Sequence, residues 1–262
     1  MTTAGTDSDA AAELLNAQGR GPVLLVCEHA SRHIPPEYGD LGLPEALLDS
    51  HIAWDPGALA VAQHLVEAFD APLVAARQSR LLFDCNRPPE AADAMAAVSE
   101  GHAIPGNTGL SDAARAERVR RYHDPFRACL AEALDRFTAA PVFITLHSFT
   151  PVYLGVARQV EIGLLHDDDD RLARAMRTLA ARHGGGAVAL NQPYGPQDGV
   201  THTLRTHALP CGALNVMIEI RNDLIASPET QRAMAARLAP WIAEAARDCG
   251  AALPLREASC PE

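Results

Sequence analysis

The sequence is poor in basic residues, poor in aromatic residues and free of long apolar runs. Its 22 Lys and Arg residues are outnumbered by 33 Asp and Glu residues, which gives a formal net charge of -11. Because nucleic-acid binders concentrate basic residues to neutralise phosphates, we expect no nucleic-acid partner. No apolar run reaches the roughly 18 residues of a membrane span, and the N-terminus carries acids where a secretory signal has bases. We therefore expect a cytoplasmic protein without a membrane partner.

Several catalytic signatures are also missing. The sequence contains no GxSxG nucleophile elbow, no GxGxxG dinucleotide motif, no GxxxxGK[ST] phosphate loop and no HExxH zinc motif. Its six cysteines are scattered without a CxxC pair, which is typical of reduced thiols rather than of a disulfide framework. These absences argue against elbow-type serine hydrolases, dinucleotide enzymes, kinases and zincins.

Strand-like apolar runs alternate with helical patterns along most of the chain. Residues 1–20 are small and polar and predict a flexible tail, and residues 21–262 are predicted to form a single domain. Strands are predicted near residues 23, 72, 80, 142, 159, 187 and 213, and helices over 57–69, 112–138, 170–183 and 228–248. This alternation predicts an α/β fold in which helices flank a mixed, largely parallel sheet.

Two irregular stretches, residues 88–109 and 190–202, interrupt the alternation. Loops of such length in a compact domain are usually lids, binding loops or disordered segments. We expect both stretches to border the functional crevice.

Three apolar runs end in residues that can bind a metal or transfer a proton. The runs are VLLVCEHAS, VFITLHSF and NVMIEIRNDL, which carry His29, His147 and Glu219. Because an α/β fold places the C-terminal ends of such strands side by side, these side chains are expected to converge on one crevice. A lone histidine at a strand end is more often structural, but two in one sheet favour a shared ligand role. Two imidazoles and a carboxylate would be the parts of a metal hydrolase site.

Two acids compete for the third ligand position that a zinc site needs. Glu28 neighbours His29, but successive strand side chains point to opposite faces, so both reach one ion only if the strand has already ended. Asp55 precedes a Pro-Gly pair at the start of a predicted helix, where an Asp is ordinarily the N-cap. From the residues alone, the capping interpretation of Asp55 is favoured.

Glu219 lies inside a run that should be buried, where an acid is costly unless it is paired or functional. Two interpretations have equal support. In the first, Glu219 forms a structural ion pair with Arg221, which lies two residues along on the same face. In the second, it is a general base whose pKa is raised by its site.

The segment SRLLFDCNRPP places charged residues directly before the first irregular stretch. Arg80 or Arg87 could hold an anionic substrate, because guanidinium groups bind carboxylates through two parallel hydrogen bonds. The alternative is an Arg–Asp pair that anchors the loop. Among the remaining histidines, His123 and His202 are those that could face the cleft.

Seven blocks, taken in order, resemble the N-formylglutamate amidohydrolase family of zinc carboxypeptidase-like hydrolases. The blocks are VCEHASRHIPPEYGDLGL, HIAWDPGA, SRLLFDCNRP, ITLHSFTPVY, VEIGLLHDDD, NQPYGPQDGVTHTL and MIEIRNDLI. The resemblance implies a phosphorylase/hydrolase-like α/β fold, one zinc ion above the sheet and cleavage of an N-acyl amide. It also implies a small anionic N-acyl amino acid as substrate, above all N-formyl-L-glutamate, and a role in histidine degradation.

The resemblance implies roles for individual residues as well. The implied zinc ligands are His29, Asp55 and His147, with Glu28 as the alternative acid, so that Asp55 is no mere cap. The implied catalytic residues are Glu219, Arg221 and His123, and the implied substrate-binding residues are Ser31, Arg80, Asn86, Arg87 and His202. The sequence departs from the expected pattern at Arg127, where a second histidine is expected, so His123 is the only histidine of that block.

Overall fold

A computed structural model describes residues 10–256 of the chain. The strands in this range are β1 (Ala12–Leu15), β2 (Val23–Cys27), β3 (Leu73–Ala76), β4 (Val98–Ser99), β5 (His102–Ala103), β6 (Val142–Phe149), β7 (Val152–Tyr153), β8 (Val156–Ala157), β9 (Ile162–Leu165), β10 (Val188–Leu190) and β11 (Asn215–Arg221). The α-helices are α1 (Glu45–Leu48), α2 (Ala58–Phe69), α3 (Asp112–Arg118), α4 (Asp124–Leu134), α5 (Arg171–Leu179) and α6 (Pro228–Asp248).

Seven of these strands form one mixed sheet in the order β1-β3-β2-β6-β11-β9-β10. The pairs β3–β2, β2–β6, β6–β11 and β9–β10 are parallel, whereas β1–β3 and β11–β9 are antiparallel. The central strands are buried on both faces, which accounts for their continuous apolar sequences, in place of alternating patterns. The predicted α/β fold with a mixed, largely parallel sheet is confirmed.

Helices cover both faces of this sheet. Helices α2, α5 and α6 contribute to one apolar cluster, in which Leu25 and Ile218 of the sheet join Trp241 of α6. The other cluster contains Leu24 of the sheet and Phe126 of α4. Neighbouring strand residues thus enter opposite cores, as the pleat requires. Between residues 10 and 256, no helix combines the length and apolar character that crossing a bilayer requires.

Strand β1 lies within the residues that were expected to form a flexible tail. It pairs antiparallel with β3, so its backbone groups complete that edge of the sheet. Leu14 and Leu15 pack against the two apolar clusters, which holds the segment in place. The tail prediction is therefore wrong for Ala12–Leu15, and residues 1–9 of that predicted tail lie outside the described residues.

Two other predicted elements differ from the structure. Residues 80–84 form turns instead of a strand, and Arg80 and Asp84 are joined there by an ion pair of 2.7 Å. The helix predicted over 112–138 is divided into α3 and α4 by a π-helical turn at Val119–His123. The helices predicted over 57–69, 170–183 and 228–248 are confirmed.

Candidate active site

The candidate site lies at the C-terminal ends of β2, β6 and β11. Strand β2 pairs with β3 on one side and with β6 on the other, so a crevice opens where the chain changes direction across the sheet. His29 follows β2 by two residues, whereas His147 and Glu219 lie within β6 and β11. His147 and Glu219 are register partners in the parallel pair, so their backbone positions are side by side. The fold brings the three residues together.

His29, Asp55 and His147 form a compact group of possible metal ligands. Asp55 Oδ2 lies 2.9 Å from His147 Nδ1 and 3.2 Å from His29 Nδ1. The two Nδ1 atoms are 3.2 Å apart. Tetrahedral zinc holds nitrogen and oxygen ligands at about 2.0–2.2 Å, which places the ligand atoms roughly 3.3 Å from one another. These three atoms therefore have the mutual spacing of ligands that share one ion.

Asp55 reaches this group because of the turn that precedes α2. The N-cap of α2 is Gly57, whose φ of 82° lies in the left-handed region. A Cβ at this position would come within 2.5 Å of Ile225 O, so the turn requires glycine. The Asp55 carboxylate accepts hydrogen bonds from Ser148 N at 3.2 Å and from Arg80 at 3.4 Å. The capping interpretation of Asp55 is wrong, because its carboxylate binds crevice residues instead of the helix terminus.

Each imidazole contacts a further carboxylate through its other nitrogen. His29 Nε2 lies 2.7 Å from Asp84 Oδ1, and His147 Nε2 lies 3.1 Å from Glu28 Oε2. In metal sites, a carboxylate hydrogen-bonded to the far nitrogen fixes the ring orientation and the tautomer of a ligating histidine, and Asp84 makes such a bond with His29. The contact between Glu28 and His147 has the distance of an ion pair but not the geometry of a hydrogen bond. Glu28 therefore contacts His147 on the side away from Asp55. Of the two acids that compete for the third ligand position, Asp55 is the one that lies beside both Nδ1 atoms.

Burial and close opposite charges shift the pKa values of these groups. Burial raises the pKa of the Asp55 carboxyl, but the neighbouring His29 and His147 imidazoles outweigh it and lower the pKa below its usual value. Burial lowers the pKa of His147, but Glu28 and Asp55 outweigh it and raise the pKa well above its usual value. The imidazoles hold protons strongly when no cation is bound, so metal binding at these atoms must release protons.

Glu219 differs from the other acids because it has no cationic partner of its own. It is 4% exposed, and within the described part of the chain its Oε2 atom has no hydrogen-bond partner. Burial raises its pKa to about 7, with a contribution from the negative charge of Asp55 and against the opposing effect of His147. Arg221 binds Asp223 at 2.8 and 3.2 Å, so of the two interpretations of Glu219 the ion pair with Arg221 is not formed. A buried carboxyl with a pKa near neutrality has the property of a general base.

The raised pKa of Glu219 makes the stability of the metal-free protein depend on pH. The folded state keeps this proton up to about pH 7, whereas the unfolded chain loses it near 4.5. The folded state therefore binds more protons between these values, and the contribution of Glu219 to the free energy of unfolding falls as pH rises. We expect Glu219→Gln to stabilise the metal-free protein by about 2–3 kcal/mol more at pH 8 than at pH 5.

Denaturant unfolding of the chelated wild type and variant at the two pH values measures this difference. Glu132→Gln on the exposed side of α4 is the matched control and should show no such dependence. Equal effects of Glu219→Gln at both pH values would contradict the raised pKa.

The candidate ligands and Glu219 line a cavity of about 380 Å³. This volume lies within the range of small-molecule sites. The two irregular stretches supply part of the wall, through Asp93 and Val98 in one and Tyr194 and Val200 in the other. Their expected position beside the crevice is confirmed, and the first stretch is ordered by the hairpin of β4 and β5.

Arg80 and Arg87 also line the cavity, but both guanidinium groups already have acidic partners. Arg80 Nη2 donates to Asp84 at 2.7 Å, as the loop-anchoring alternative requires. Arg87 Nε donates to Asp93 at 2.8 Å, and its Nη1 donates to the Gly199 carbonyl at 3.3 Å. A substrate anion would have to share these groups.

Asn86 lines the same cavity but joins two parts of the protein. Its side-chain amide donates to the Val200 carbonyl, and its side-chain oxygen accepts from Thr203 N at 3.0 Å. These contacts tie the loop that follows residue 84 to the second irregular stretch. The side chain therefore shapes the wall.

Four predicted site residues lie outside the lining of this cavity, namely Ser31, His123, His202 and Arg221. Ser31 lines a separate cavity of about 390 Å³, and its hydroxyl accepts from His33 N at 3.1 Å. His123 Nδ1 lies 2.9 Å from Asp124 Oδ1, and the His123 ring is 6.4 Å from that of His202. Arg221 is held by Asp223, as described above. The structure therefore does not place these four side chains in the wall of this cavity.

Sequence reasoning missed several residues of the wall, including His51, Glu100, Phe149, Tyr153 and Tyr194. Aromatic residues make up only 5% of the chain, so the closeness of Phe149 and Tyr153 in the sequence was a feature that could have pointed to the cavity wall. Tyr194 lies in a stretch that was already expected at the crevice. His51 and Glu100, which are 2.8 Å apart, come from distant segments, and nothing in the sequence links them.

Comparisons with known proteins relate most of the chain to one family. The family profile described as N-formylglutamate amidohydrolase matches residues 21–226. A solved structure of a gene product from Agrobacterium tumefaciens is 52% identical, with a TM-score of 0.89 over 92% of this chain and 96% of that chain. The structure of N-formylglutamate amidohydrolase from Ralstonia eutropha JMP134 is 20% identical, with a TM-score of 0.60 over 92% of this chain and 100% of that one, and it shares the fold. No curated protein matches. The chain therefore belongs to the N-formylglutamate amidohydrolase family.

Proposed function

We propose that this protein hydrolyses the amide bond of N-acyl amino acids, and that its preferred substrate is N-formyl-L-glutamate, which yields formate and L-glutamate. One Zn²⁺ ion held by His29, Asp55 and His147 is the proposed cofactor. The observation that carries the proposal is the meeting of these three ligand atoms in one cavity with Glu219, whose Oε2 atom has no hydrogen-bond partner within the described residues. Membership of an amidohydrolase family supports an amide substrate.

The residues of the group fit a divalent cation. Four carboxyl groups are buried together, those of Glu28, Asp55, Asp84 and Glu219, and Arg80 pairs with two of them. Several buried carboxylates at short range are costly unless opposite charge compensates them. A divalent ion supplies such charge. Two imidazole nitrogens and one carboxylate oxygen also form the three-ligand set of open catalytic zinc sites.

Zinc supplies a Lewis acid that lowers the pKa of water and polarises the acyl oxygen. Glu219 takes the proton of the attacking water while the hydroxyl joins the acyl carbon. Its buried position beside the ligand group and its Oε2 atom, which has no hydrogen-bond partner within the described residues, suit this task. Glu219 then gives the proton to the amine nitrogen as the carbon–nitrogen bond breaks. Arg80 lines the same cavity and stabilises the negative charge that develops on the acyl oxygen.

Arg87 is the proposed partner of the substrate α-carboxylate. Its Nε and Nη1 atoms bind Asp93 and backbone carbonyls, and no contact of its Nη2 atom is found within the described residues. Arg87 is one of the residues that line the cavity. A substrate carboxylate can bind Nη2 while Asp93 holds the guanidinium in place.

A substrate panel tests the proposed activity. Formyl, acetyl and succinyl derivatives of glutamate, glutamine and leucine are compared with short peptides, and amine release by the zinc-loaded protein is measured. We expect the highest kcat/KM for N-formyl-L-glutamate. A clear preference for another acyl group would indicate that the protein is a different acyl amino-acid hydrolase. A clear preference for peptides would indicate a carboxypeptidase-like enzyme. Zinc binding without hydrolysis of any compound would indicate a metabolite-binding or metal-binding protein.

Glu28→Gln tests whether Glu28 positions His147. Glutamine keeps the size of the side chain but removes the charge 3.1 Å from His147 Nε2. We expect the Kd for zinc to rise by about 10–100-fold, as for other carboxylates that orient a ligating histidine. Competition with a chelating dye measures this Kd, and Glu132→Gln serves as the control. An unchanged Kd would show that Glu28 does not support the metal site.

A further inference from the structure

Arg158 is a cation beside the cavity that has no acidic partner. The cationic side chains of the cavity wall include three that are paired: Arg80 with Asp84, Arg87 with Asp93, and His51 with Glu100. Arg158 lies outside that lining, against three aromatic rings that belong to it. Throughout residues 10–256, no carboxylate lies within ion-pair distance of the Arg158 guanidinium. Its side chain donates a hydrogen bond to the Thr150 carbonyl at 3.5 Å. The charge of Arg158 is therefore not neutralised by a neighbouring acid.

Three aromatic rings hold this guanidinium in place. Its central carbon lies 4.5 Å from the ring centroid of Tyr153, 4.7 Å from that of Tyr194 and 5.5 Å from that of Phe149. All three rings line the cavity. Cation–π contacts position a guanidinium without cancelling its charge. The cation thus remains available to an anion that enters beside these rings.

We propose that Arg158 binds the side-chain carboxylate of an acidic amino acid in the substrate. Phe149, Tyr153 and Tyr194 contact the methylene groups that carry this carboxylate. The inference rests on the proposed function, because it assigns the residue that recognises the side chain of the substrate proposed there. An apolar slot with a guanidinium beside it matches a short aliphatic stem that ends in a carboxylate. Arg158 is thereby the residue that selects acidic side chains, whereas Arg87 binds the α-carboxylate common to all substrates.

The position of Arg158 in the fold fits this role. It directly follows β8, on the hairpin that β7 and β8 form beside the cavity. The Arg221 guanidinium donates to the Arg158 carbonyl at 3.3 Å, which ties the end of the hairpin to β11. Arg221 therefore positions the backbone of Arg158, although its own side chain does not line the cavity. A site that binds charge rejects a neutral analogue because the binding group is left without its partner.

Kinetics with a matched pair of substrates tests the proposal. N-formyl-L-glutamate and N-formyl-L-glutamine have the same shape and differ in side-chain charge. In the zinc-loaded full-length protein, we expect Arg158→Gln to reduce kcat/KM for the glutamate substrate by about 10–100-fold, mainly through KM. The value for the glutamine substrate should change less than about threefold. Arg158→Lys should restore part of the preference, and Arg177→Gln, at an exposed position of α5, should leave both values unchanged.

Equal losses on both substrates, or no loss on either, would overturn the role of Arg158. A wild type that is inactive on every N-formyl substrate would overturn the proposed function instead. In that case, calorimetry with L-glutamate and L-glutamine still tests Arg158 without turnover. We expect the wild type to prefer L-glutamate and Arg158→Gln to lose this preference. Binding of L-glutamate that the substitution leaves unchanged would overturn the inference.

Discussion

Glu219→Gln is expected to reduce kcat by about 10²–10⁴-fold while one zinc ion stays bound. Glutamine keeps the shape of the side chain but cannot accept the proton of the attacking water. The ligand atoms of His29, Asp55 and His147 are unaffected, because Glu219 is not one of the three grouped side chains. Steady-state kinetics on N-formyl-L-glutamate measures kcat, and the zinc content of the same sample gives the number of bound ions per chain.

Two outcomes would contradict this assignment of Glu219. Near wild-type kcat with zinc bound would remove the residue from the mechanism. Loss of zinc together with activity would make Glu219 a metal ligand rather than a general base. Glu132→Gln, on an exposed face of α4, is the control and should retain both activity and zinc.

Loss of the metal is expected to abolish hydrolysis and to lower stability. Chelation of the wild type and the substitution Asp55→Asn should both leave activity undetectable, because each removes part of the same site. Zinc at 100 times its Kd stabilises the folded protein by about 2.7 kcal/mol. For a chain of this size, this corresponds to a rise in Tm of roughly 5–10 °C. Calorimetric scans with and without zinc measure the shift.

Adding zinc back distinguishes the chelated wild type from the Asp55→Asn variant. The chelated wild type should recover activity and Tm, whereas Asp55→Asn should recover neither. If Asp55→Asn bound zinc normally and hydrolysed the substrate, the acidic ligand would be another residue. Glu28 is then the acid to test, since it contacts the far nitrogen of His147.

The sheet could be predicted from the sequence because its central strands are buried on both faces. A continuous apolar run such as 142–149, in a chain where strands and helices alternate, is typical of a central strand covered by helices. The edge strand β1 could not be predicted in this way, because all four of its residues are only partly buried and its pairing with β3 is long-range. The π-helical turn between α3 and α4 also left no signal, since the residues on either side continue a helical pattern.

The candidate site was predictable where strand order alone brings residues together. His147 and Glu219 meet because β6 and β11 are parallel neighbours. The position of Asp55 depends on the turn at Gly57, and a helix cap has the same local sequence. Only the family resemblance favoured its place beside the histidines. Arg158 escaped notice because its three aromatic neighbours meet it only in the folded chain.

A crystal structure of the active, zinc-loaded protein, with data collected on both sides of the zinc absorption edge, shows whether His29, Asp55 and His147 hold one zinc ion. We expect one anomalous peak, about 2.0–2.2 Å from His29 Nδ1, His147 Nδ1 and an Asp55 carboxylate oxygen. Glu219 should lie beside this peak without binding it. A peak at other residues, or no peak in crystals of fully active protein, would contradict the account.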